Sequence, residues 1–207
     1  MSKENLRYFP LNFDSRDKQV LIVGGGPAAA AKLRSLLRGE FSFYVVAEEF
    51  SVPMQEAIAG NLRRIDYLEQ KIDLDLDFGQ ADLLVLATND PDLQEGLAAK
   101  AEKDGLWYLR ADDAEKSAIQ LSKIIEQNAL ILTLRSRRPN PSLSQILAED
   151  LSEFLEQYDE KKILLLADLR QALVAQELSG EAIKEEMKKY IKADIAELEK
   201  RINELSK

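Results

Sequence analysis

Residues 20–32 read V-L-I-V-G-G-G-P-A-A-A-A-K, so Gly24, Gly25 and Gly26 stand between an apolar run and a row of alanines. A strand that breaks into glycines and restarts as a helix turns unpaired N–H groups and the positive end of a helix dipole toward an anion. Gly24, Gly26 and Ala29 fill the three key positions of a G-x-G-x-x-G/A pattern. The first takes a tight turn, the second lets backbone approach a pyrophosphate, and the third lets the helix pack closely on the strand. Pro27 suits a first helical turn, where its missing N–H costs little. The phosphates of a dinucleotide are therefore assigned to Gly24, Gly25, Gly26, Pro27 and Ala28. An acid roughly 20 residues beyond such glycines holds a ribose hydroxyl, and Glu48 and Glu49 stand just past the next apolar run. Neither Arg nor Lys stands there to welcome a 2′-phosphate, which favours NAD over NADP as the cofactor.

What the chain lacks narrows the remaining chemistry. With Cys 0 and His 0 among 207 residues, there is no thiol or imidazole to serve as nucleophile, base or metal ligand. Proton transfer falls to carboxylates, Lys, Tyr or the substrate, and no protein metal site is expected. A formal net charge of -9 argues against nucleic acid as a partner. The apolar runs fall short of the roughly 18 residues that span a membrane, and M-S-K-E-N-L-R-Y lacks the apolar stretch of a signal peptide, so a cytoplasmic address is expected. Two short polar segments follow further apolar runs, Ala87-Thr88-Asn89-Asp90 and Arg110-Ala111-Asp112-Asp113. The carboxyl ends of strands are where a doubly wound sheet gathers its ligands, so Thr88 and Asn89 join the cofactor set.

Such loops need a scaffold to hold them together. Strand patterns occur at 19–23, 43–46, 62–67, 83–87, 107–109 and 129–134, and helical patterns at 28–38, 52–60 and 92–103. The alternation predicts an α/β domain over 1–141 with a Rossmann-type, doubly wound, mainly parallel sheet. The proline-broken segment 8–13 reads as an edge strand or a lead-in. After Ser142 glycine nearly vanishes, and helices are predicted at 142–158, 163–178 and 180–205, forming a separate helical region over 142–207. The Glu and Lys residues of the last helix read as a solvated face.

Four segments in register, Y-F-P-L at 8–11, G-G-G-x-x-A-x-x-K at 24–32, A-T-N-D-P-x-L at 87–93 and A-D-D at 111–113, carry a more specific signal than the glycines alone. Over roughly the first three quarters of the chain this order resembles the precorrin-2 dehydrogenase family, the amino-terminal module of siroheme synthases. The resemblance implies an NAD-dependent enzyme that oxidises the tetrapyrrole precorrin-2 to sirohydrochlorin, often with a second activity that inserts ferrous iron. It places the family's key aspartate at Asp112 as the catalytic carboxylate, and makes the helices after Ser142 a homodimerisation and C-terminal region. Arg135, Arg137 and Arg138 follow the last strand pattern and offer bidentate partners for the carboxylates of such a substrate. The chain departs from the family on the substrate side. Leu109 replaces an asparagine, 135–142 reads R-S-R-R-P-N-P-S without the family's glycines, and 114–120 reads A-E-K-S-A-I-Q where the family is aromatic and apolar. The alternative function is a non-catalytic nucleotide- or tetrapyrrole-binding partner protein.

Overall fold

Strand β1 (Gln19–Val23) is apolar after its first residue, and it runs through the middle of a five-stranded parallel sheet. Its partners are β2 (Ser42–Ala47) and β4 (Leu83–Leu86), flanked by β3 (Ile65–Glu69) and β5 (Trp107–Arg110) in the order β3-β2-β1-β4-β5. A near-continuous apolar run suits a strand buried on both faces, and Val20, Ile22, Val23, Leu84, Val85 and Leu86 are all fully buried. The strand order reverses between β1 and β4, and in doubly wound sheets ligands bind beside the carboxyl ends at such a reversal. Register then sets what meets there: Val23 lies opposite both Val46 and Leu86. Gly24, Ala47 and Ala87 therefore leave the sheet side by side.

The computed structural model describes residues 5–137 and 140–205. Helices α1 (Pro27–Leu36), α2 (Val52–Ala59) and α3 (Pro91–Lys103) each begin with proline in the first turn, and they link β1 to β2, β2 to β3 and β4 to β5. The small side chains of Ala29 and Ala30 are fully buried, bringing α1 close to the sheet. Between β3 and β4 the crossover carries no helix. Residues 71–78 read K-I-D-L-D-L-D-F, an alternation unsuited to a 3.6-residue period. The carboxylates of Asp73 and Asp77 accept the N–H groups of Asp75 and Gly79, making local turns, while Ile72 and Phe78 are buried in the core with Leu21, Leu84 and Leu97.

The contacts divide the chain into two compact units between Gln120 and Leu121, ahead of the change in composition at Ser142. The strand expected at 129–134 is the reason. It forms β7 (Leu130–Leu134), which pairs antiparallel with β6 (Lys123–Gln127) in a separate two-stranded sheet and is no part of the parallel one. Helix α4 (Pro141–Glu156) packs on this hairpin, burying Ile125, Ala148 and Leu155 together. Helices α5 (Glu160–Ala175), α6 (Gly180–Tyr190) and α7 (Ile195–Leu205) surround Leu169, Leu173 and Leu198.

One other expectation is corrected and one is narrowed. The helix predicted over 180–205 is interrupted after Tyr190, because Asp194 accepts the Glu197 N–H at 2.9 Å and starts a new helix. Asp194 followed by Glu197 is a capping-box spacing hidden in a charged run. Of the two forms expected for 8–13, the edge strand is absent and the lead-in stands: Phe9 and Leu11 are exposed, and Phe13 rests on Phe41 and Trp107 with ring centroids 6.0 and 5.7 Å away.

Candidate active site

Gly24 leaves β1 with φ 126°, a conformation that glycine adopts without strain. A Cβ there would collide with the carbonyl of Ala87, and one on Gly25 would collide with the carbonyl of Glu49. Both glycines are needed for the turn itself. Gly24 N–H donates to Val46 O at 2.8 Å, and Ser51 N–H donates to Gly25 O at 2.9 Å, so the turn is fastened to the segment after β2. Gly26 is different: a Cβ there would point into open space, with nothing beyond its own helix and chain neighbours within 4 Å. It is the N-cap of α1 and makes no side-chain capping bond, and Pro27 and Ala28 beside it are exposed. The first-turn N–H groups of α1 are thus left for a ligand. The hydroxyl of Ser51, the residue at the start of α2 whose N–H is bonded to Gly25, is buried with no hydrogen-bond partner among the described residues. A bare glycine, an uncapped helix start and an orphaned hydroxyl fit the polar, anionic middle of a dinucleotide. Glu48 and Glu49 follow β2 directly and are exposed.

A second group of side chains gathers at the ends of β4 and β5. Arg110, the last residue of β5, has a side chain only 4% exposed. Its Nε donates to Asp112 Oδ1 at 3.0 Å and its Nη2 to Oδ2 at 2.7 Å, a bidentate pair. Its Nη1 donates to Glu95 Oε2 at 2.6 Å, and Lys116 Nζ reaches the same oxygen at 3.1 Å. Gln94 of α3, 1% exposed, completes the cluster by donating through Nε2 to Asp112 Oδ1. The Arg110 guanidinium, with Gln94 and the Asp113 N–H in support, holds the Asp112 carboxyl far below the usual carboxylate range, against a smaller opposing effect of burial. Asp112 raises the Arg110 guanidinium in turn. The result is a fixed anion, with 43% of its side chain open to solvent. Such a group stabilises positive charge and accepts hydrogen bonds, but it is a poor resting proton acceptor.

The first unit therefore contains the glycine turn, Glu48, Glu49, Thr88, Asn89 and Asp112. Thr88 bonds to Gln94 through its N–H and hydroxyl, and Asn89 is exposed. Arg135 and Arg137 are exposed after β7 in the second unit, whose strands form a sheet of their own. Arg138 lies outside the described residues. Sequence reasoning missed Gln94, Glu95, Arg110 and Lys116. A signal was present for the first: Gln94 falls on the buried stripe of α3 with Leu97, Ala98 and Ala101, where a polar residue needs a partner. Among the described residues there is no group of three or more Asp or Glu able to hold a metal ion, and no helix long and apolar enough to cross a membrane.

Known proteins resemble this chain to different extents. A family model described as putative NAD(P)-binding matches residues 11–123. Siroheme synthase 1 of Yersinia enterocolitica is 29% identical over 151 residues, and siroheme synthase 2 of Yersinia pestis is 30% identical over 148 residues, each match covering 72% of this chain. This chain spans 31% of the length of either synthase. A probable multifunctional siroheme biosynthesis protein of Ruminiclostridium josui is 31% identical over 144 residues, 69% of this chain and 27% of its own length. Among solved structures, SirC, a precorrin-2 dehydrogenase, matches with a TM-score of 0.69 at 21% identity, covering 96% of this chain and 98% of its own. That likeness is one of fold.

Proposed function

The chain belongs to the NAD(P)-binding family of siroheme synthase amino-terminal domains and precorrin-2 dehydrogenases, and from that premise we propose that it oxidises precorrin-2 to sirohydrochlorin with NAD. The observation that carries this reading is a fixed carboxylate, Asp112, at the end of β5, with only β4 between it and a glycine turn open to a dinucleotide. Gly24, Gly25, Gly26, Pro27 and Ala28 bind the phosphates, Glu48 or Glu49 takes a ribose hydroxyl, and Thr88 and Asn89 face the cofactor at the switch point. NAD, when bound, supplies the hydride acceptor. Loss of a hydride leaves positive charge on the macrocycle, and an ionised Asp112 stabilises that charge where it develops. The proton that balances the reaction leaves a pyrrole nitrogen hydrogen-bonded to Asp112 and passes to solvent along the exposed side of the carboxylate. Arg135 and Arg137 offer guanidinium groups to the substrate's carboxylates. An anionic acceptor of N–H groups also suits ferrous iron insertion, in which the macrocycle supplies the metal ligands.

Anaerobic incubation with precorrin-2 and NAD, followed by the absorbance of sirohydrochlorin, tests the reading. Product is expected from the native chain, and Asp112→Ala should lower turnover at least about a hundredfold while leaving NAD affinity nearly intact. NAD binding without product would instead favour the non-catalytic partner protein.

The second unit is proposed to form a homodimer. Leu143, Ile146, Leu147 and Phe154 of α4 are exposed at helical spacing, and Ile131 of β7 is 70% exposed. Sedimentation velocity is expected to show a dimer, and Ile146→Glu with Phe154→Glu a monomer; a native monomer at micromolar concentration overturns the assignment.

A further inference from the structure

Gln94 occupies a place where packing alone would call for leucine. It is 1% exposed and shares its buried stripe with Leu97, Ala98 and Ala101. A buried amide is costly unless both of its ends are satisfied, and here both are, by different loops. Its Oε1 accepts the Thr88 N–H at 2.9 Å and lies 3.2 Å from the Thr88 hydroxyl. Its Nε2 donates to Asp112 Oδ1. The orientation of the amide is not free. The Thr88 N–H can only donate and an ionised carboxylate can only accept, so reversing the amide would set donor against donor and oxygen against oxygen.

We propose that Gln94 is a positioning residue that joins the cofactor loop after β4 to the carboxylate after β5, so that cofactor binding at Thr88 and Asn89 is felt at Asp112. Thr88 follows the fully buried strand β4, and Asp112 is already held by Arg110 on its other side. A displacement of the Thr88 N–H must therefore be taken up by the amide and passed to Oδ1. The join acts on position: Arg110 keeps Asp112 in place from its other side, so the affinity of the cofactor loop for NAD changes little when the join is cut. Its consequence for turnover rests on the dehydrogenase reading, but the join can be measured without substrate.

The probe is the carboxyl carbon of Asp112 in protein labelled with 13C-aspartate, assigned by its loss in Asp112→Asn and followed during titration with NAD. In the native chain, NAD is expected to move this signal. Gln94→Met keeps the length and apolar contacts but removes both polar ends, and the movement should vanish. Gln94→Glu keeps an acceptor for Thr88 and sets a second carboxylate against Asp112, so the Asp112 signal should titrate at higher pH than in the native chain while NAD still binds. If Gln94→Met fails to unfold cooperatively, Gln94→Glu alone decides. No movement in the native chain, or the same movement in the folded variants, overturns the join. In turnover, Gln94→Met should lower kcat by about tenfold to a hundredfold, with the KM for NAD held within about threefold. Loss of NAD affinity in equal measure would make Gln94 a plain structural support of the cofactor loop. If the native chain yields no sirohydrochlorin, the dehydrogenase reading fails, and the carbon signal still reports on the join.

Discussion

The glycine turn and the Asp112 cluster lie at the carboxyl ends of β1 and β5, on either side of β4 in the same sheet, but are built from different materials. The turn is made of backbone: Gly24 and Gly25 are required because carbonyls of Ala87 and Glu49 stand where a Cβ would go, and a Cβ on Gly26 would enter open space. The Asp112 cluster is made of side chains from α3, β5 and the loop after β5, held by ionic hydrogen bonds. A backbone site depends on a few consecutive residues and tolerates almost no change of shape. A side-chain site depends on residues far apart in the chain, and its properties are set by which charge stands beside which.

Substitutions can separate the two kinds of site. The largest effect is expected from Gly24→Ala, which forces a side chain against backbone at φ 126°. A loss of roughly 3 kcal/mol or more should appear in the unfolding transition together with loss of NAD binding. Gly26→Asp should do the opposite. Nothing lies near its Cβ, so the unfolding temperature should hardly move, while bulk and negative charge abolish NAD binding in calorimetry. Undiminished binding would remove the phosphates from this turn.

A smaller effect is expected on the side-chain site. Arg110→Met releases Asp112 and should cost about 1–2 kcal/mol at neutral pH. Because Arg110 lowers the folded-state value of Asp112 from an ordinary 3.8, the stability this pair contributes is complete above that pH. It is lost only as the pH falls further, through the lowered folded value. Urea unfolding of the native chain and Arg110→Met should therefore differ by a constant amount from about pH 5 to 8, and the gap should close in stronger acid. A gap that changes near neutral pH would mean that another group carries the stabilisation.

Most of the parallel sheet is legible in the sequence because β1, β2, β4 and β5 are short and mostly apolar with helical patterns beside them, and β1 falls on the predicted residues, Gln19–Val23. The glycine turn was legible for the same local reason. Strand β3, largely exposed and partly polar, lies at Ile65–Glu69 and not at 62–67. The crossover at 71–78 has neither a helical nor a clear strand signature in the sequence, its Asp side chains making turns in place of a helix. Strand β7 was recognised as a strand, but its partner was not, because the pattern at 130–134 says nothing about whether the next strand beside it is parallel or antiparallel. Asp112 was singled out by resemblance, yet its state was not, because Arg110 sits two residues away as one more charged side chain until the fold buries it.

The sequence by itself determined the parts in which one short segment sees mainly itself: the strand-turn-helix of 19–36, the Asp90 cap that starts α3, and the absence of thiol and imidazole chemistry. Only the tertiary structure decided that Gln94 would face both Thr88 and Asp112, and that Asp112 would be an anion held by a buried arginine. Local segments specify shape through backbone preferences over a few residues. Charge state and hydrogen-bond partnership depend on which distant groups are brought together away from water, and that is settled when the sheet closes α3 against β5.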